Sequence, residues 1–188
     1  MILGDAYVQS TGRRNARLRL EHRADHMEYL EWKAKLLPQL FQGKPTVLAR
    51  VHPLTKRTYR YVRWQSNTSP VLGKLRKLFY PNGKKQIPEN LAKLLRDDIA
   101  FAVWFYDDGY FYPRDKCSYL YLGRVTRHEA EIASDAIQKE FGIKNKVLDK
   151  KNKGFALYFS REESKKIKSI VEKFRVPVMA YKIPTLTP

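Results

Sequence analysis

The chain has 188 residues, with 37 Lys+Arg against 19 Asp+Glu and a formal net charge of +18. Hydrophobic residues make up 43% of it, enough for a packed interior, which argues against disorder despite the charge. No run approaches the ~20 apolar residues of a membrane helix. Gly4 and Asp5 interrupt any secretion signal at once, and the lone Cys117 excludes an internal disulfide and a Cys-rich zinc module; these features predict a protein of a reducing compartment, the prokaryotic cytoplasm or an organelle matrix, with no membrane partner.

In chain order the elements form a repeat. The first segment, Leu3-Gly4-Asp5-Ala6-Tyr7, sets an acid beside a small residue with an aromatic two positions on. The alternation Ala16-Arg17-Leu18-Arg19-Leu20-Glu21 predicts a half-buried strand. Asp25 and Glu28 have the spacing of an acidic capping box, ahead of a helix with Met27, Leu30, Ala34 and Leu37 on one face. Residues 46–51 and 57–65 predict a strand hairpin. Ser69-Pro70, a cap followed by proline in the first turn, opens a second helix with the stripe Val71, Leu72, Leu75, Leu78 and Phe79. Lys84-Lys85-Gln86-Ile87-Pro88 closes this half.

The second half repeats the order. The apolar run 99–106 ends in Asp107-Asp108-Gly109-Tyr110, again an acid with an aromatic two positions on. A strand over 118–122 follows, then a capping box from Thr126 and Glu129. Its helix turns Ala133, Ile137 and Phe141 inward and stops at Gly142. Strands are predicted over 144–148 and 154–159. Ser160 and Glu163 open the last helix, with Ile167, Ile170, Val171 and Phe174 inward, and Tyr181-Lys182-Ile183-Pro184 closes the half. The fold class is α+β, in two pseudo-symmetric halves, 1–90 and 91–188, about a pseudo-two-fold axis.

A pI near 10 points to a polyanion, and nucleic acid is the default, because Lys and Arg neutralise phosphate. Residues 1–90 hold 18 Lys+Arg and 6 Asp+Glu, net +12; residues 91–188 hold 19 and 13, net +6. The first half is therefore expected to grip DNA harder. On 57–65 one strand face carries Arg57, Tyr59, Tyr61, Arg63 and Gln65, and on 15–21 Arg17, Arg19 and Glu21 share a face opposite Leu18 and Leu20. Arg and Gln on an exposed ribbon are the side chains that read guanine and adenine edges. The alternative for each is an ordinary solvated sheet face.

Residues able to do chemistry are few. There is no phosphate-binding glycine loop, no nucleophile elbow and no His-Asn-His nuclease pattern. His22, His26, His52, His128 and Cys117 fall into no metal-ligand spacing; His22 and His26 straddle a strand-to-helix turn and read as solvated residues. Carboxylates stand out instead. Asp107 and Asp108 end an apolar helix, at the wrong end of its dipole, and a divalent cation compensates such charge while also taking phosphate oxygens. The alternative is a solvated acidic turn, for which Asp-Asp-Gly is good chemistry. The recurrence of an acid at Asp5 favours a site, since two acids from related halves can hold metals near two phosphates.

The segments around 2–7 and 102–109, with 83–91 and 176–184 in the right order, resemble the LAGLIDADG homing endonucleases of the single-chain, two-motif type. The resemblance covers nearly the whole chain. It implies two signature helices packed side by side, each flanked by a curved antiparallel sheet lying in the DNA major groove. It implies that Asp5 and Asp108 bind Mg²⁺, that metal-activated water attacks phosphorus, and that Lys85 and Lys182 are active-site lysines supporting the developing charge. Asp107 is then a turn acid or a supporting one. The implied activity is sequence-specific double-strand cleavage at a long pseudo-symmetric DNA site, by a monomer of the kind encoded in mobile introns. The alternative on this scaffold is an intron-RNA-binding maturase or a DNA-binding protein that does not cleave. One departure stands out: only Met1 to Gly4, about one helical turn, precede Asp5. The family pattern therefore predicts a further apolar turn upstream, whose restoration is expected to raise melting temperature and cleavage; the alternative is that the second helix pairs with a neighbouring molecule or leaves its surface exposed.

Overall fold

The computed structural model describes residues 1–186. The chain divides into two compact units, Met1–Pro81 and Asn82–Pro188. The first holds β1 (Tyr7–Ser10), β2 (Ala16–Arg23), α1 (Met27–Lys35), β3 (Thr46–Val51), β4 (Thr58–Gln65) and α2 (Pro70–Phe79). The second holds α3 (Leu91–Leu94), α4 (Asp98–Asp108), β5 (Gly109–Tyr112), β6 (Cys117–Gly123), α5 (Arg127–Phe141), β7 (Lys146–Asp149), β8 (Phe155–Phe159) and α6 (Arg161–Val171). Each unit has a four-stranded sheet, ordered β1-β2-β4-β3 in one and β5-β6-β8-β7 in the other. Every pairing is antiparallel. The repeat read in the sequence is thus a repeat of topology, and the fold is α+β. The segment 82–90 falls with the second unit, so Lys85 and Lys182 belong to the same one. No helix among the described residues is long and apolar enough to cross a membrane.

Period-two patterning builds both sheets. In β2, Ala16, Leu18 and Leu20 are buried while Arg17, Arg19 and Glu21 lie on the outer side. Cross-strand partners keep this order, with Leu20 opposite Trp64 and His22 opposite Val62 on the inner face. Arg19 pairs with both Tyr7 and Gln65 on the outer one. The apolar core of the first unit lies beneath, from Val8, Leu18, Leu20, Leu30 and Val62. Truncating Leu20, fully buried there, to Ala is expected to cost about 2–5 kcal/mol. It should lower the urea midpoint with little change in slope. An unchanged midpoint would mean this sheet face is not the core.

Helix signals held where a side chain had a backbone group to satisfy. Thr126 and Glu129 form the capping box of α5, which ends at Gly142 in a left-handed conformation (φ 63°). Ser69 caps α2 through Val71 N–H, and Ser160 caps α6 through Glu163 N–H. The Asp25–Glu28 expectation does not hold: α1 has no side-chain cap, and Asp25 accepts from Arg23 at 2.7 Å. A charge-assisted bond to a neighbouring guanidinium outcompetes a neutral backbone N–H. Tyr29 and Lys33 of α1 are also buried, beyond the apolar stripe. Val71 is 62% exposed, so it drops out of the α2 stripe. Arg57 lies outside β4, and β7 starts at Lys146 rather than at 144.

The strands directly after each acid, β1 and β5, were not predicted, being four residues each. The short first signature helix expected before Asp5 is not formed: residues 2–5 make a turn, with Ala6 N–H donating to Met1 O at 3.3 Å, because four residues are too few to sustain a helix. Met1, Ile2 and Leu3 pack against the core of the first unit. In the second unit Phe101 to Tyr106 of α4 are all buried. A helix apolar on every side belongs in an interior. Tyr106 donates to Val171 O of α6 at 3.2 Å, and burial pushes its pKa up to about 12.

Candidate active site and nucleic-acid interface

In the second unit Asp107 and Asp108 are the last residues of α4, both half-buried. With Gly109, Tyr110, Tyr112, Tyr121 and Lys182 they line an open hollow of about 440 Å³. Lys182 comes from a 3-10 helix (Pro177–Lys182) that proline starts. Its Nζ donates to Asp107 O at 2.9 Å, placing a cation on the negative end of α4, where the dipole favours one. One site therefore joins carboxylates, a lysine and phenol hydroxyls. Oxygen donors of this kind suit Mg²⁺, a hard cation that keeps some water and shares phosphate oxygens.

Gly109 fixes how the helix hands over to β5. A Cβ there would run into the carbonyl oxygen and ring of Phe105. Gly109→Ala should therefore strain this hand-over and lower the melting temperature; an unchanged melting temperature would mean the turn has slack.

Lys85 is exposed in an irregular stretch, 85–88. That stretch is tied down two residues later, where Ile87 N–H donates to Glu129 Oε1 at 2.9 Å. The other carboxylate oxygen, Oε2, accepts from Thr126 N–H at 2.8 Å. One glutamate thus caps α5 and anchors the segment carrying Lys85.

In the first unit Asp5 is the last residue of the turn at 2–5. His22, read from the sequence as solvated, is in fact a strand residue on the inner face of the sheet. Its side chain is 7% exposed, its Nδ1 lies 3.7 Å from Asp5 Oδ2, and its ring lies 5.0 Å from that of Tyr29. Strand parity from Leu18 and Leu20 was the available signal, since residue 22 shares their face.

The outer face of the first sheet is cationic and crosslinked. Arg17 donates to Gln65 at 3.1 Å, and Arg63 donates to Glu21 from both Nε and a terminal nitrogen at 2.8 Å. Arg19 lies over Tyr7, and Arg50 over Tyr61. Tyr59 is 52% exposed near the hairpin end. Arg57 lies one residue before β4, and its carbonyl accepts from His52 N–H at 2.8 Å. Of the predicted reading residues, Arg17, Arg19, Tyr59, Tyr61, Arg63 and Gln65 share one strand face, and Arg57 stands just ahead of it. Tyr7, Arg23 and Arg50 join that face by register and had been missed.

The corresponding face of the second sheet is aromatic. Tyr110 and Tyr112 pack ring to ring at 4.6 Å, and Tyr112 meets Tyr119 at 5.2 Å. Tyr119 meets Tyr158 at 5.4 Å, and Lys150 Nζ lies 4.5 Å above the Tyr119 ring. The Tyr112 and Tyr121 hydroxyls share a hydrogen bond at 2.7 Å. Burial and that bond push the Tyr121 pKa up, so its hydroxyl stays neutral at physiological pH. Cys117 is buried, and burial raises its thiol pKa, which keeps it unreactive.

The family model described as "LAGLIDADG DNA endonuclease family" matches residues 1–167. "Probable intron-encoded DNA endonuclease 3" of Mycosarcoma maydis is 27% identical over 111 residues, which is 57% of this chain and 81% of that protein. "Protein RecA" of Mycolicibacterium fallax is 26% identical over 184 residues, which is 91% of this chain. The chain spans 41% of that RecA. Among solved structures, the homing endonuclease I-WcaI bound to its DNA recognition sequence superposes with a TM-score of 0.87, over 99% of this chain and 83% of that one, at 23% identity. Mesophilic variants of the homing endonuclease I-DmoI give 0.51 over 91% and 90%, at 16% identity. At such identities these likenesses establish the fold.

Proposed function

Because this chain belongs to the LAGLIDADG DNA endonuclease family, we propose that it cuts both strands of a long, pseudo-symmetric DNA site, sequence-specifically and as a monomer, with Mg²⁺. The observation that carries the reading is the hollow at the end of α4, which Asp108 and Lys182 both line. A protein that only binds nucleic acid gains nothing from carboxylates turned toward phosphate, because like charges repel. Asp108 and Asp5 are the proposed metal-holding residues. Bound there, Mg²⁺ would supply an activated water and neutralise charge at the phosphate.

The chain's own residues do the rest. Lys182, held on the Asp107 carbonyl, keeps a fixed positive charge where charge develops on phosphate oxygens. Lys85 is the second such lysine, positioned through the Ile87–Glu129 bond. The arginines and Gln65 on the first sheet contact bases and phosphates in the major groove. Their bonds to Glu21 and to each other hold the guanidinium planes at set angles before DNA arrives, which lowers the entropy cost of binding. The tyrosines of the second sheet offer neutral hydroxyls and ring faces.

Lys182→Met is expected to cut the cleavage rate by about 10²–10³-fold, the scale of losing one preorganised donor. DNA affinity should fall less than tenfold. Equal losses in both would make Lys182 a phosphate-binding lysine only. The reading itself is tested by exposing the protein to a random DNA library with Mg²⁺ and sequencing new ends. Binding without new ends would favour the non-cleaving alternative, and selective retention of intron RNA would favour the maturase.

A further inference from the structure

We propose that Asp5 and His22 together form a mixed oxygen–nitrogen metal position, so that the first unit holds a transition ion more tightly than it holds Mg²⁺. The inference rests on the reading of Asp5 as a metal-holding acid and adds a ligand to it. The 3.7 Å between His22 Nδ1 and Asp5 Oδ2 is too long for a hydrogen bond, which ends near ~3.2 Å. It falls between the separations of neighbouring and opposite ligands of one ion, so a small side-chain adjustment brings both atoms onto it. With bonds of about 2.1 Å, neighbouring donors in an octahedral site stand roughly 3.0 Å apart and opposite ones roughly 4.2 Å.

The ring is built in. His22 sits on the inner face of β2, opposite Val62, with its side chain 7% exposed. Tyr29, fully buried in α1, packs against the ring at 5.0 Å. A histidine so held loses little rotamer freedom on binding an ion, whereas a solvated one loses much. Asp5 is 46% exposed on its side chain, which leaves the ion open to water and phosphate. The donor set decides the metal. Imidazole favours later first-row ions, and affinity at a nitrogen-containing site rises from Mn²⁺ through Co²⁺ to Ni²⁺. The hollow at Asp108 has oxygen donors and a lysine but no histidine among its lining residues.

The test is a Co²⁺ titration of the DNA-free protein, followed by visible absorption, on wild type, His22→Gln, Asp5→Asn and the control His128→Gln. His128 is an exposed residue of α5 paired with Glu89. We expect His22→Gln and Asp5→Asn each to weaken Co²⁺ binding by about 10–100-fold, the scale seen even for outer partners of a metal. His128→Gln should bind as wild type does. In unsubstituted protein, substoichiometric Co²⁺ should shift the ring protons of His22 selectively among the four histidines, a readout that does not depend on the variants folding. Loss in Asp5→Asn with full binding in His22→Gln, and no shift of His22, would overturn this inference while leaving the metal role of Asp5 intact. Full binding in both variants would overturn that role as well.

Discussion

Asp108→Asn is expected to abolish cleavage, by about 10³-fold or more, while DNA binding persists or tightens. The substitution keeps the shape of the side chain and removes the charge proposed to hold a cation. Losing a single preorganised electrostatic group costs ~10²–10³ in rate, and here the ion's own contribution should go with it. Binding does not need the carboxylate. Asp108 stands at the C-terminal end of α4, where the helix dipole already disfavours negative charge. Neutralising it should leave stability equal or higher, so a lower melting temperature would point to a structural role instead. The checks are single-turnover cleavage, a gel-shift titration and a melting curve on one preparation. Cleavage at the wild-type rate would remove Asp108 from the chemistry.

A second large effect is expected from salt. Arg17, Arg19, Arg23, Arg50 and Arg63 share the outer face of the first sheet, and the chain carries +18 overall. A protein making about 6–10 phosphate contacts loses roughly 10³–10⁵ in affinity between 50 and 200 mM salt. We expect a decline on that scale, and a slope shallower by about 1 for Arg19→Ala. Arg63→Ala should do more than lower affinity, because it leaves Glu21, which Arg63 now grips through two nitrogens, with the longer contact to Arg50 at 3.7 Å. The less neutralised carboxylate would repel phosphate. The second sheet should behave differently: Tyr110→Phe alters affinity through a hydroxyl and leaves the slope unchanged. A flat titration of the wild type would mean that the charge solvates the protein and does not bind DNA.

The sequence announced the fold wherever a local pattern had one physical reading. Thr126 and Glu129 satisfy each other's backbone groups, so the start of α5 could be named. The run 99–106 is apolar on every side, and only an interior accepts such a helix. The alternation in β2 fixed which arginines share a face. Four-residue strands such as β1 and β5 carry too few side chains for a period to show, and they form because a longer neighbour pairs with them. Asp25 misled because its real partner, Arg23, lies two residues away on the other side.

The site was legible in part. The acids, Lys85 and Lys182 were singled out from motif spacing and resemblance, while the bond from Lys182 to the Asp107 carbonyl depends on a contact 75 residues away in sequence. His22 was not legible because its spacing to His26 carries no signal of burial. Its environment comes instead from strand parity and from Tyr29, which a helix brings back onto the ring.

The most direct measurement is cleavage-site selection with matched proteins. Wild type and Asp108→Asn are each incubated with one random DNA library, with and without Mg²⁺, and both bound fragments and new ends are sequenced. The account predicts that both proteins retain the same long sequence family. Wild type with Mg²⁺ should produce double-strand ends at a fixed position within it, and the variant should produce none. Ends of equal number from both proteins, or retained sequences with no ends from wild type at any divalent metal, would contradict it.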